Sequence, residues 1–265
     1  MAKKITAIVT QKKAGRFNIY LDGKYAFPVS EDVLIKYRLA KGLELDEEMI
    51  ECLQQADLLS KAYNKALDHL SYQLRTKKEI QTYLTKLEIP ENDQDQIISK
   101  LVELNLLDDL TYAKSYVRTA AKTTDKGPFV IAQKLKQKGV AEEFINEALT
   151  EFSLEQQVQT AFKLAEKFVA KNKKLAFQTL KNKLYQHLAT KGFSSETISL
   201  VLEELALEKD DTLQLEALRE QGAKLLRRYQ RYPEPERSFK LKQALYRKGF
   251  SLSEIEGYLA ELTAE

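Results

Sequence analysis

Glycine is scarce and scattered in this chain of 265 residues. Its nine glycines never fall closer together than eight positions, so there is no glycine-rich loop to cradle phosphates and no dinucleotide fingerprint. Nucleotide hydrolysis by that route is excluded. Cysteine occurs once, as Cys52, which rules out an intrachain disulfide framework and a cysteine-rich zinc site and leaves Cys52 as an ordinary helix residue. The two histidines, His69 and His187, are distant in sequence and lack an adjacent cysteine or acidic cluster of ligand spacing, so both are expected to be structural. The compact acidic pair Asp108-Asp109 lies where a helix must begin, and capping that helix is the expected role rather than metal binding. No metal, cofactor or catalytic activity is expected. No apolar run approaches the roughly 18 to 20 residues that span a bilayer. Met1-Ala2-Lys3-Lys4 leads into a short alternating segment rather than a signal-peptide core, so the expected location is the cytoplasm, away from membranes.

What the chain does contain is a recurring phrase that closes a helix. Three copies read Ile131-x3-Leu135-x2-Lys138-Gly139-Val140, Leu184-x3-Leu188-x2-Lys191-Gly192-Phe193 and Leu241-x3-Leu245-x2-Lys248-Gly249-Phe250. A degraded copy reads Ile80-x3-Leu84-x4-Ile89, with Glu88 in the place of glycine. Such spacing leaves room for about three short helices per unit and predicts a repeat array, which buries its core between neighbours and offers a long surface. With 43% hydrophobic and 31% charged residues, the chain has the composition of a well-packed helical protein.

Residues 1–56 read differently. Ile5, Ala7 and Val9, then Phe17, Ile19 and Leu21, then Tyr25, Phe27 and Val29 alternate with period two, and Asp22-Gly23 is a hairpin turn. Ser30 caps a short helix to about Tyr37, and Asp46 opens another to about Asp57. The expected architecture is mainly α: tandem three-helix repeats at 57–107, 108–152, 153–208 and 209–265 in an elongated array, with residues 1–56 forming a small antiparallel β-sheet cap. Second helices begin at the capping box Thr76-x2-Glu79, at Gly127-Pro128 and at Pro235, and glycines 139, 192 and 249 end them. Third helices carry Ile145 and Leu149, Ile198 and Leu202, Ile255 and Leu259. In the first unit Ile97 and Leu101 arrive three residues late, which predicts a small insertion at Pro90-Glu91-Asn92.

Charge sorts by helix. Residues 111–140 hold seven Lys or Arg and one acid, 163–191 eight and one, and 219–248 ten and three. Residues 141–155 hold five acids and no base, and 251–265 four and none, so the net charge of +3 conceals positive first and second helices and negative third helices. Repetition in register points to a stripe that meets a polyanion rather than to mere solvation. In the densest basic stretch, Arg219 to Lys248, tyrosines 229, 232 and 246 either stack on exposed bases or pack inward.

Leu106-Leu107-Asp108-Asp109-x2-Tyr112-Ala113, followed by Arg118, Lys126-Gly127-Pro128, Ile131, Leu135 and Lys138-Gly139-Val140, resembles the central signature of the RecX regulatory proteins, which modulate the recombinase RecA. Phe17-Asn18-Ile19-Tyr20-Leu21-Asp22-Gly23 and Glu31-Asp32-Val33-Leu34 resemble the amino-terminal extension of the longer Gram-positive members. The resemblance implies a monomeric regulator that binds the RecA filament on single-stranded DNA and reduces its ATP hydrolysis, strand exchange and coprotease activity in DNA repair and the SOS response. The contact residues expected on this basis, together with the basic stripe, are Arg118, Lys122, Lys126, Lys134 and Lys138, with Arg227, Arg228, Arg231, Arg237 and Lys240. The same stripes leave open an independent DNA-binding protein, and the array alone a helical scaffold for other proteins.

Tandem units without heptads or barrel strands are expected to extend rather than to fold back on one another. Small-angle scattering should therefore give a pair-distance distribution with a long tail; the profile of a compact sphere would overturn the elongated array.

Overall fold

The computed structural model describes residues 2–264. Strands β1 (Lys3–Thr10), β2 (Arg16–Leu21), β3 (Lys24–Ser30) and the two-residue β4 (Glu44–Leu45) form one antiparallel sheet in the order β3-β2-β1-β4. Asp22 and Gly23 take φ of 50° and 82°, the paired positive values of a two-residue hairpin turn. Ile19, Leu21, Phe27 and Val29 are buried as the alternation predicts. Val9 and Tyr25 are exposed instead, because the register slips between Ile5 and Ala7 and again between Ile19 and Tyr20. One extra residue sends every later side chain to the opposite face, so Ile8 packs against the core in place of Val9.

Ser30 caps α1 (Glu31–Lys36) and Asp46 caps α2 (Glu47–Tyr72). The boundary expected at 56/57 falls inside α2, a single helix of 26 residues that no glycine or proline interrupts. Its first half lies under the sheet, with Leu53 fully buried among the strand residues. Asp57 anchors the two: it accepts the Arg16 guanidinium at 2.5 and 3.1 Å, the Ser30 N–H at 2.8 Å and the Lys61 ammonium at 2.9 Å. A carboxylate this buried is stable only because its lone pairs are filled.

The remaining helices are α3 (Lys77–Lys86), α4 (Glu91–Glu103), α5 (Asp109–Thr123), α6 (Pro128–Gln137), α7 (Glu142–Leu149), α8 (Leu154–Lys171), α9 (Phe177–Lys191), α10 (Ser195–Glu204), α11 (Asp211–Tyr229), α12 (Glu236–Arg247) and α13 (Leu252–Ala264). They belong to two compact units, Met1–Ala113 with Lys136–Phe144 and Lys114–Leu135 with Ile145–Glu265. In the first, Ala62, Ala66, Ile80, Leu84, Ile97, Leu101 and Leu107 form a core. No insertion precedes α4. The helix starts two residues after Ile89, as α7 starts two after Val140 and α10 two after Phe193. Gln94 stands where Ile145, Ile198 and Ile255 stand in the other copies, and its amide donates to the Ile89 carbonyl at 2.8 Å. Glu88 holds the left-handed turn itself, with φ of 59°. In the second unit, one core gathers Ala161, Ala165, Leu184, Leu188, Phe193, Ile198 and Val201, and another Leu218, Leu241, Leu245, Phe250, Ile255 and Tyr258.

Successive copies of the phrase interlock. The Lys138 carbonyl accepts from the Thr76 hydroxyl at 2.7 Å, the Lys191 carbonyl from the Gly127 N–H at 2.8 Å, and the Lys248 carbonyl from the Thr179 hydroxyl at 2.7 Å. Each time, the start of one second helix sits on the glycine-closed end of the next. A side chain on Gly192 would meet the Val130 nitrogen at 2.7 Å, and one on Gly127 would overlap the Gly192 carbonyl oxygen.

Leu135, fully buried at the inward position of α6, sets a test of this packing. Leu135→Ala should destabilise by about 2 to 5 kcal/mol through the cavity it leaves. An unchanged melting temperature would place Leu135 on the wrong face.

Candidate functional site

At two of the three joints the side chain of the lysine before the glycine is drawn in as well. Lys138 pairs with Glu79 at 2.6 Å and lies 5.6 Å from the Tyr112 ring, and Lys191 pairs with Asp125. Thr76, fully buried, accepts from the Glu79 N–H while donating its one O–H to the Lys138 carbonyl. Lys138, expected at a partner surface, is thus held by its own chain. Burial opposes the ionisation of Glu79, but the Lys138 ammonium and the Thr76 N–H hold its carboxyl below the usual range. The Lys191 ammonium does the same for Asp125.

First helices also reach third helices. Lys114 pairs with Glu147 at 2.6 Å and Arg118 with Glu151 at 3.2 Å, two rungs one turn apart, and Arg219 pairs with Glu261 at 3.0 Å. The positive and negative stripes are therefore partly laced together. Beyond the rungs, Arg118 and Lys122 on α5 and Lys163 and Lys167 on α8 line an open groove of about 840 Å³. Lys122, Lys163 and Lys167 are exposed and make no ion pair among the described residues. Lys163 and Lys167 were absent from the expected contact residues; their spacing of four on a helix opposite another basic helix is the signal that pointed to them. Lys134 is exposed on α6, and Lys126 is half-buried before that helix.

The carboxy-terminal cations divide. Arg227 and Arg237 line a second groove of about 670 Å³ with Leu226, Leu259 and Leu262, and Arg237 also pairs with Glu234 at 2.8 Å. Arg231 and Lys240 flank the Tyr232 ring at 5.3 and 4.5 Å, while Arg228 lies 6.0 Å from Tyr229. The tyrosines take different roles: Tyr229 packs against the core, and Tyr246 is exposed.

Asp108 and Asp109 both serve helix starts, but not the same one. Asp108 accepts from Leu110 N–H and from the Thr111 hydroxyl in its own helix, and the Thr111 bond holds its carboxyl low. Asp109 is buried and accepts from the Lys77 N–H at the start of α3, 2.8 Å away, and burial pushes its carboxyl up. Gln214 repeats that bond to the Phe177 N–H at the start of α9, at 2.9 Å, whereas α6 starts on Pro128, which has no N–H to satisfy. His69 stacks on Tyr83 and His187 on Phe168, with centroids 4.2 and 4.9 Å apart, and burial lowers the pKa of both. Among the described residues no group of three or more His, Cys, Asp or Glu is placed to hold a metal, and no helix is long and apolar enough to cross a membrane.

Fold and surfaces together define a helical-repeat protein whose tandem three-helix units carry charged faces. Family models agree segment by segment: the regulatory protein RecX N-terminal domain matches residues 3–46, the first RecX three-helix domain 62–101, the second 108–149, and the third both 155–202 and 212–259. The regulatory protein RecX of Levilactobacillus brevis is 47% identical over 97% of each chain, and that of Bacillus licheniformis 45% identical over 97% of this chain and 98% of its own. A crystal structure of regulatory protein RecX, 47% identical, matches with a TM-score of 0.73 over 76% of this chain and 99% of its own. RecX from Lactobacillus salivarius, 43% identical, matches with a TM-score of 0.56 over 58% and 99%. The chain belongs to the RecX family of regulatory proteins.

The joint carboxylates make stability depend on acid. A carboxyl held low in the folded state contributes stability above its unfolded pKa, near 4, and loses it as pH falls through the folded value. The wild-type melting temperature should fall between about pH 7 and about pH 3, and a Glu79→Gln, Asp125→Asn variant should start lower and fall less. Equal falls would remove these two pairs as the source.

Proposed function

We propose that this protein binds the RecA filament on single-stranded DNA and restrains its ATP hydrolysis, strand exchange and coprotease activity, acting as a cytoplasmic monomer in DNA repair and the SOS response. Membership of the RecX family along nearly the whole chain carries this reading. The acting units are the repeats at 57–107, 108–152, 153–208 and 209–265, with the cap at 1–56 supporting the first. No chemistry is required of such a regulator: a ligand that prefers one filament state shifts the filament by that difference in affinity, and several weak repeat contacts on one chain add through effective concentration. The contact residues are Arg118, Lys122, Lys126, Lys134 and Lys138 with Arg227, Arg228, Arg231, Arg237 and Lys240. Lys138 contributes through its joint as much as through its charge, since Glu79 holds it.

RecA ATP hydrolysis on single-stranded DNA, titrated with this protein at two salt concentrations, tests the proposal. Wild type should inhibit. Lys122→Glu, Lys126→Glu, Lys134→Glu should lose little melting temperature, because charge changes at the exposed Lys122 and Lys134 usually cost within about 0.5 kcal/mol each and Lys126 is only half-buried, and should inhibit less and with weaker salt dependence. No inhibition by wild type overturns the function; equal inhibition by the folded variant moves the contact surface elsewhere.

A further inference from the structure

In the second unit the groove between α5 and α8 concentrates charge that the rest of the fold leaves unbalanced. Arg118 and Lys122 are four residues apart on α5, and Lys163 and Lys167 four apart on α8, so each pair lies on one helix face about 6 Å apart along the axis. The two acids that line the groove are already engaged, Glu151 by Arg118 and Asp125 by Lys191 from outside it. Four cations thus line the groove, and with Asp125 neutralised by Lys191 only Glu151 opposes them, an excess of three positive charges. The lining threonines add no spare donors, since the hydroxyls of Thr123, Thr124 and Thr160 are turned back to the carbonyls of Thr119, Ala120 and Gln156. No aromatic side chain lines the groove, so nothing there can stack a base.

We infer that this groove is a track for the phosphodiester backbone of nucleic acid, held by Lys122, Lys163 and Lys167 with Arg118, and blind to base sequence. Two rows of cations one helical turn apart present charge at intervals comparable with successive phosphates of an extended strand, and ammonium groups without ion-pair partners meet phosphates without first giving up an internal contact. The inference deepens the proposed function and rests on it only in supposing that the DNA of the filament lies within reach; the groove's affinity for bare DNA does not depend on RecA.

The test is fluorescence anisotropy of the full chain with a labelled oligothymidylate across a salt series. Wild type should bind, with log K falling linearly with log salt. Lys122→Glu, Lys163→Glu, Lys167→Glu should bind at least about tenfold more weakly, and its salt slope should be shallower by about 2, at roughly 0.7 per lost phosphate contact. Lys122→Gln, Lys163→Gln, Lys167→Gln should show the same change in slope without introducing repulsion. A matched reversal at the exposed Lys24, Lys41 and Lys65 of the first unit should leave the slope unchanged. Wild-type affinity and slope in the folded groove variants would overturn the inference, as would absence of wild-type binding or equal competition by polyglutamate. RecA inhibition measured on the same proteins separates the two ideas: DNA binding through the groove without RecA inhibition removes the proposed function and leaves the groove, and RecA inhibition by a chain whose groove variants bind DNA normally does the reverse.

Discussion

The structure depends on one contact used three times: the carbonyl of the lysine in Lys-Gly accepts a hydrogen bond from the start of the preceding second helix. The last carbonyls of any helix lack partners within it, and the first N–H groups likewise. At Gly127 and Phe129 the helix-start N–H groups donate to the helix-end carbonyls and satisfy both at once, while at the other two joints a threonine hydroxyl satisfies the carbonyl; each bond is worth about 1 kcal/mol net and its loss in a buried setting costs more. The approach is close enough to dictate sequence. At the joint of Gly127 with Gly192 the two backbones face each other, and a β-carbon on either would overlap the other segment. Glycine at 192 is needed twice, for its φ of 93° and for that proximity.

This constraint sorts the basic residues. Two cations of the phrase are consumed by the joint, Lys138 by Glu79 and Lys191 by Asp125, while Lys248 stays exposed. Cations that begin the first helices are partly consumed by third-helix acids, through Lys114 with Glu147 and Arg118 with Glu151. Left open to a partner among the described residues are the end of α5 with the face of α8 opposite it, and, at the far end of the chain, Arg227, Arg228 and Arg231. A sequence count of seven or eight cations per segment therefore overstates the charge available outside.

The repeated phrase, the hairpin at Asp22-Gly23, the caps at Ser30 and Asp46 and the capping box at Thr76 were all legible in the sequence, because each is set by residues within a few positions of one another. What was not legible depends on partners far along the chain. Asp109 looks like a cap for its own helix, and only the fold shows that it accepts from Lys77, 32 residues away. Gln94 reads as a surface residue, yet it is buried where the other copies place isoleucine, because its amide bonds the Ile89 carbonyl. The slips at Ile5/Ala7 and Ile19/Tyr20 leave alternation in the sequence intact while changing which face it describes. Of the expected contact residues, Lys122 lies exposed and Lys138 is held by Glu79, a partner 59 residues away in the chain.

That division has a functional consequence. Joint lysines and groove lysines are the same chemistry in two roles, and the difference lies in what faces them. A carboxylate one repeat away fixes a lysine's direction and lowers its appetite for an external anion, because binding one then requires breaking an existing pair. A lysine with no such partner keeps its mobility and its full charge for a phosphate. Drift in the acids at positions 79 and 125 would therefore alter two properties together, loosening a joint while releasing a cation toward the surface, so the strength of the joints and the charge offered to a partner are coupled through the same two carboxylates.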